Sequence, residues 1–87
     1  MIVAAAMRHR TTGEIVSLPA PARHGDLFLP AIEKWGSAHH EQGFIDANEG
    51  FVSRERAIYI VMVERQPLRD GKREPDHARE LFSEDLW

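Results

Sequence analysis

Seven consecutive apolar residues, Ala57 to Val63, lie between the charged stretches Arg54-Glu55-Arg56 and Glu64-Arg65 in a chain of only 87 residues. Periodicity cannot separate a buried strand from a buried helix in such a run, so length and flanks must decide. Ser53 is a good N-cap, and Glu55 stands in the first turn, where the helix dipole favours an acid. Pro67 supplies a stop. The segment from Arg54 to about Gln66 is long for a strand and average for a helix, so a helix is expected. Its apolar middle needs cover on most sides. A chain this short cannot give that alone, and oligomerisation would supply the rest.

Around this helix the rest reads as two hairpins and one more helix. Ile2 to Met7 and Glu14 to Leu18 flank Thr11-Thr12-Gly13 and predict a first hairpin. The Pro19–Ala22 stretch cannot continue a central strand. Asp26 is a plausible N-cap for a helix through Trp35. Phe28, Ile32 and Trp35 fall on one helical face at i, i+4 and i+7, and Gly36 is the stop. Gly43–Asp46 and Phe51–Val52 flank the turn residues Asn48 and Gly50 and predict a second hairpin. The expected fold is α+β: a small antiparallel sheet from two β-hairpins packed with two α-helices, as one domain over residues 1–87. Residues 68–80 read as an exposed charged loop. The chain closes on Leu81-Phe82-Ser83-Glu84-Asp85-Leu86-Trp87, whose four large apolar side chains should dock on the core or on a neighbouring subunit.

Composition excludes several functions. With no cysteine there is no disulfide framework, thiolate metal site or thiol nucleophile. A net charge of −3 disfavours non-specific binding to nucleic acid. No apolar run approaches the ~20 residues that span a bilayer, and the order of charges at the start is wrong for a secretory signal. A cytoplasmic protein is expected. Among the five histidines, His39 and His40 are adjacent and diverge on any regular element, and no ligand spacing for a metal is present. A serine triad could be assembled only loosely, from Ser17 or Ser53 with His24 and Asp26, without a nucleophile elbow. No enzyme and no cofactor is expected.

The residues with binding chemistry cluster at predicted helix starts. Arg23 and His24 precede the first helix, where free backbone N–H groups favour an anion. The alternative is a solvated Arg23 with Asp26 capping the helix. Arg54 repeats the arrangement at the second helix, near the Asn48 turn and Phe44. Phe44 beside these arginines would suit a stacked base. It could equally be a core residue, and hairpin register decides whether it shares a face with Phe51. Glu84 and Asp85 could pair with the arginines, bind ribose hydroxyls, or form a solvated tail tip.

Taken together, Arg23-His24, Gln42-Gly43-Phe44, Gly50-Phe51-x-x-Arg54-x-x-Ala57, Gln66 and the closing Leu81-x-Ser83-Glu84-Asp85-Leu86-Trp87 have a familiar order. Over residues 23–87 the chain resembles a family of small phage and prophage proteins. It is similar to the phage proteins that counter Thoeris immunity as nucleotide sponges. The resemblance implies capture without hydrolysis of a cyclic ADP-ribose isomer, or of cyclic oligonucleotides. It also implies a homo-oligomer with pockets between subunits, in the cytoplasm of an infected bacterium. On that reading Arg23, His24, Phe44, Asn48, Arg54, Ser83, Glu84 and Asp85 would line the ligand, with both arginines on phosphate, Phe44 on the base and the tail closing the site. The chain departs from the pattern at Val61, where alanine is expected, and in the charged 68–80 segment. The runner-up is an inhibitor of a host defence or regulatory protein, with an acidic second half that docks on a basic surface.

Overall fold

The computed structural model describes residues 1–36, 40–69 and 80–87. Four strands form one antiparallel sheet: β1 (Ile2–His9), β2 (Ile15–Pro19), β3 (His40–Asp46) and β4 (Gly50–Ser53), in the spatial order β2-β1-β3-β4. A 3-10 turn, His24–Leu27, leads into α1 (Phe28–Trp35), and α2 (Arg54–Glu64) follows β4 directly. A second 3-10 turn, Ser83–Asp85, lies in the tail. The α+β architecture with two hairpins and two helices is the expected one.

The register sorts the sheet into two faces. Ala5 opposes Phe44, and Phe44 opposes Val52, so these side chains share the face that the helices cover. Phe51, one residue away, points to the other face. Ile2, Phe44, Val52 and Leu81 pack with Ala57, Ile58, Ile60 and Val61 of α2. Beside that cluster, Ala5 and Met7 of β1 pack with Leu27 and Ala31, supported by Val16, Leu18 and Trp35.

The apolar run of α2 is helical, and its start follows the sequence closely. Ser53 Oγ accepts the Arg56 N–H at 3.0 Å. The helix stops at Glu64 because Arg65 turns into the left-handed region (φ 55°), two residues before the expected end. Gln66 then leaves the helix and acts as a strand partner in miniature. Its Oε1 accepts the Ile2 N–H at 2.7 Å, and its Nε2 donates to the Ile2 carbonyl at 2.9 Å.

Two local expectations are corrected. Asp26 does not cap α1: it sits inside the 3-10 turn, and its Oδ2 accepts the Arg23 N–H at 2.8 Å, three residues back. The buried stripe of this helix is Leu27, Ala31 and Trp35, not Phe28, Ile32 and Trp35. Phe28, Leu29 and Ile32 remain 46%, 65% and 59% exposed. Small Ala31 lets the helix approach the alanine-rich β1 closely, which a larger residue on that face would prevent. The segment after α2 also differs in part. Leu68 packs against the core, and the Arg69 N–H donates to the Asp85 carbonyl at 2.7 Å. Residues 70–79 of the expected loop, and His39, lie outside the described residues.

Gly43 stands where two neighbours come unusually close. A Cβ there would overlap the Val52 carbonyl oxygen and lie 2.6 Å from Cζ of Phe51, whose ring crosses this point of the sheet. Gly43→Ala is expected to destabilise the domain by about 1–3 kcal/mol, the usual range for overpacking. Chemical denaturation checks this. The partner backbone cannot move without breaking the β3–β4 ladder.

Candidate functional site: a polar cluster closed by the C-terminal segment

The first 3-10 turn, the middle of β3, the start of α2 and the tail meet at one place. His24 is the centre. It is buried, and its ring meets Phe44 edge-to-face with centroids 4.9 Å apart. His24 Nε2 lies 2.7 Å from the Gly43 carbonyl, and Nδ1 lies 3.2 Å from Ser83 Oγ. A carbonyl can only accept, so Nε2 carries the proton and Nδ1 takes the Ser83 hydroxyl hydrogen. Ser83 Oγ in turn accepts the His24 backbone N–H at 3.1 Å. All these groups are satisfied with a neutral imidazole. Burial pushes the His24 pKa below its ordinary value, and the Arg54 guanidinium nearby acts in the same direction.

Around this centre the other side chains also find internal partners. Arg23 Nε donates to the Trp87 carbonyl oxygen at 2.7 Å, and Trp87 Nε1 donates to the Ala22 carbonyl at 2.6 Å. Arg54 Nη2 donates to Gln42 Oε1. Its guanidinium stacks over Phe82, 4.8 Å from the ring centroid, and Nη1 lies 3.8 Å from Glu80. Arg54 Nε is buried with no hydrogen-bond partner among the described residues. Asp85 is buried, and its Oδ2 accepts the Phe82 N–H at 2.9 Å across the tail's 3-10 turn.

The structure therefore brings Arg23, His24, Phe44, Arg54, Ser83 and Asp85 into one neighbourhood, while Glu84 is exposed beside it. Phe44 is wholly buried, its ring against His24 and the α2 core, and offers no open face. Asn48 is elsewhere. It lies exposed in the β3–β4 turn, at the opposite end of the hairpin from Gly43 and Ser53, and its N–H donates to Asp46 Oδ2 at 2.9 Å. Two residues the sequence did not single out as functional matter here. Gln42 holds Arg54. Asp46, 3% exposed, fixes the turn by accepting the amides of Asn48 and Glu49. The Met1 amino group, 2.7 Å away, is the main cause that holds the Asp46 carboxyl below its ordinary value.

The pairing of Ser83 with His24 invites comparison with a hydrolytic dyad. The geometry differs in two respects. Ser83 is 2% exposed, so its oxygen is closed to a substrate in this conformation. The far ring nitrogen faces a carbonyl rather than a carboxylate, which gives a forming imidazolium little stabilisation. Of the other serines considered, Ser53 serves as the α2 cap and Ser17 is exposed on the edge strand β2. Among the described residues no group of three or more His, Cys, Asp or Glu is placed to hold a metal ion. None of the described helices is long and apolar enough to cross a membrane.

The family profile described as "Phage T4 y16D protein" matches residues 1–87. No curated protein and no solved structure matches the chain.

Proposed function

Since the chain belongs to the phage T4 y16D protein family, we propose that this phage protein acts by binding another protein, without turnover, through the open face of α1. One observation carries the reading. Phe28, Leu29 and Ile32 form a contiguous apolar patch, 46%, 65% and 59% exposed, on a helix whose opposite face is already packed. An exposed apolar patch on a small domain marks an interaction surface more often than isolated exposed residues do. On α2, Tyr59, Met62 and Val63 add a second such stripe at i, i+3 and i+4. The polar cluster points the same way, because most of its side chains are engaged within the chain. A host protein and a second copy of this chain both fit these faces.

The test is a charge placed in the patch. Leu29→Asp is expected to change the free energy of unfolding by less than about 0.5 kcal/mol, as for an exposed position. Sedimentation velocity of the fluorescently labelled parent, alone and in cell extract, should show a labelled boundary heavier than 9.9 kDa that the labelled variant lacks. A parent that stays monomeric in both conditions contradicts the reading.

One observation favours a second reading, nucleotide capture at the tail cluster. Arg54 keeps a loose 3.8 Å pairing with Glu80 and an unpartnered Nε, beside the Phe82 ring. A phosphate that replaces Glu80 at Nη1 would pair with the same guanidinium. On this reading a cyclic ADP-ribose isomer is the first ligand to test, from the resemblance of the closing motif. A bound nucleotide should raise the melting temperature of the parent and not of Arg54→Ala.

A further inference from the structure

Apart from the helix faces and the tail cluster, the turn joining β1 to β2 and the start of β3 enclose an open cleft of about 490 Å³. Its wall carries Arg8, His9, Arg10, Thr11, Thr12 and Glu41. The volume falls within the roughly 300–1,000 Å³ of small-molecule sites. Every side chain in this wall is polar, with two guanidinium groups against one carboxylate, in a protein whose net charge is −3.

The cleft is held in shape by contacts within the chain. Arg8 stacks over Phe51, 4.5 Å from the ring centroid, and Nη2 donates to Glu41 at 2.6 Å. His9 Nδ1 accepts the amides of Thr11 and Thr12, each at 3.2 Å, which fixes the turn. Thr12 Oγ1 accepts the Glu14 N–H at 3.2 Å and keeps its own hydrogen to donate. Arg10 is exposed and has no ion-pair partner among the described residues. The site thus pairs one pre-positioned guanidinium with one free guanidinium and two hydroxyl donors.

We propose that this cleft binds a phosphorylated small molecule, with its phosphate gripped by Arg10 and Arg8 and by the Thr11 and Thr12 hydroxyls. Guanidinium planes and phosphate oxygens match as two-point donors and acceptors, and hydroxyls complete the oxygens that remain. Glu41 opposes the anion and limits its affinity. The site shares no residue with the α1 patch or with Arg54, although His9 meets Trp35 at the end of α1 edge-to-face, 5.5 Å between centroids.

The experiment is a titration of the 15N-labelled protein with inorganic pyrophosphate and, separately, with AMP, at fixed ionic strength. Shifts concentrated on the amides of residues 8–13 are expected. Arg10→Ala, at a free exposed side chain, should leave the melting temperature unchanged and weaken binding about tenfold, the loss of one charge-assisted contact. Glu41→Gln should change affinity in the opposite sense, tightening binding by removing the competing carboxylate. No shift up to millimolar ligand, shifts confined to the tail cluster, or equal affinity in all three proteins would overturn the proposal. A response to both ligands supports the proposal, and a response to pyrophosphate but not to AMP overturns it in favour of a site for the inorganic ion alone.

Discussion

Replacing His24 with leucine is expected to destabilise the domain by about 2–5 kcal/mol, because two buried acceptors and donors lose their partner at once. The Gly43 carbonyl would lose its Nε2–H donor, and the Ser83 hydroxyl its Nδ1 acceptor. Neither reaches water in the closed cluster, so the desolvation cost returns in full. The ring also leaves its edge contact with Phe44. The same residue sets a pH dependence. The folded-state pKa lies below the ordinary value of 6.5, so as pH falls through that value the unfolded chain binds a proton that the folded one resists. Stability is then fully present above about pH 6.5 and is lost as pH falls towards the folded-state pKa. Equilibrium unfolding in urea at pH 7.5 and pH 5.5 should give a lower midpoint at the acid pH for the parent and a smaller difference for His24→Leu. Equal midpoints for the parent and His24→Leu at pH 7.5 would show that the cluster carries no stability.

Leu81→Ala is expected to cost about 2–5 kcal/mol, as for other wholly buried leucines. Leu81 has no exposed surface and belongs to the same cluster as Phe44 and the inner face of α2. Its N–H donates to the Arg54 carbonyl at 3.1 Å, which ties the tail to the first turn of the helix. Domains of this size often have total stabilities near the lower end of about 5–15 kcal/mol, so the loss is a large share. Removing Leu86 and Trp87 should add to it, since both pack on the core and Trp87 supplies partners for Arg23 and Ala22. Melting temperatures of the two variants within a degree of the parent would mean that the tail is not part of the core.

Much of this arrangement was legible in the sequence, for reasons that differ by element. The Ser53 cap, the charged flanks and Pro67 decided the α2 run, because local hydrogen bonding and helix length outweighed the β-branched residues. Both hairpins were marked by their turn residues. The face of α1 was not legible. Leu27, Phe28, Leu29, Ala31, Ile32 and Trp35 contain two overlapping stripes, and side-chain size favours the bulkier one. The structure buries the stripe with Ala31 because the opposing strand carries Ala5 and needs a close helix. Proximity of Arg23, His24, Arg54 and Ser83 could be expected from their motifs. That they would satisfy one another could not, because the Ser83–His24 and Trp87–Arg23 contacts join residues 59 and 64 apart. Gln66 gave a motif signal only; nothing local marks a side-chain amide that pairs with the Ile2 backbone.

The α1 face can be interrogated inside cells. A photo-reactive amino acid at position 29 is set against the same group at Thr12, which is also exposed but lies in the β1–β2 turn, outside the patch. Binding through α1 predicts a defined cross-linked species, at twice 9.9 kDa or at the mass of one other protein, from position 29 and not from position 12. The adduct should vanish when Ile32→Asp is added. No adduct from position 29, or the same adducts from both positions, would contradict the assignment of α1 as the working surface.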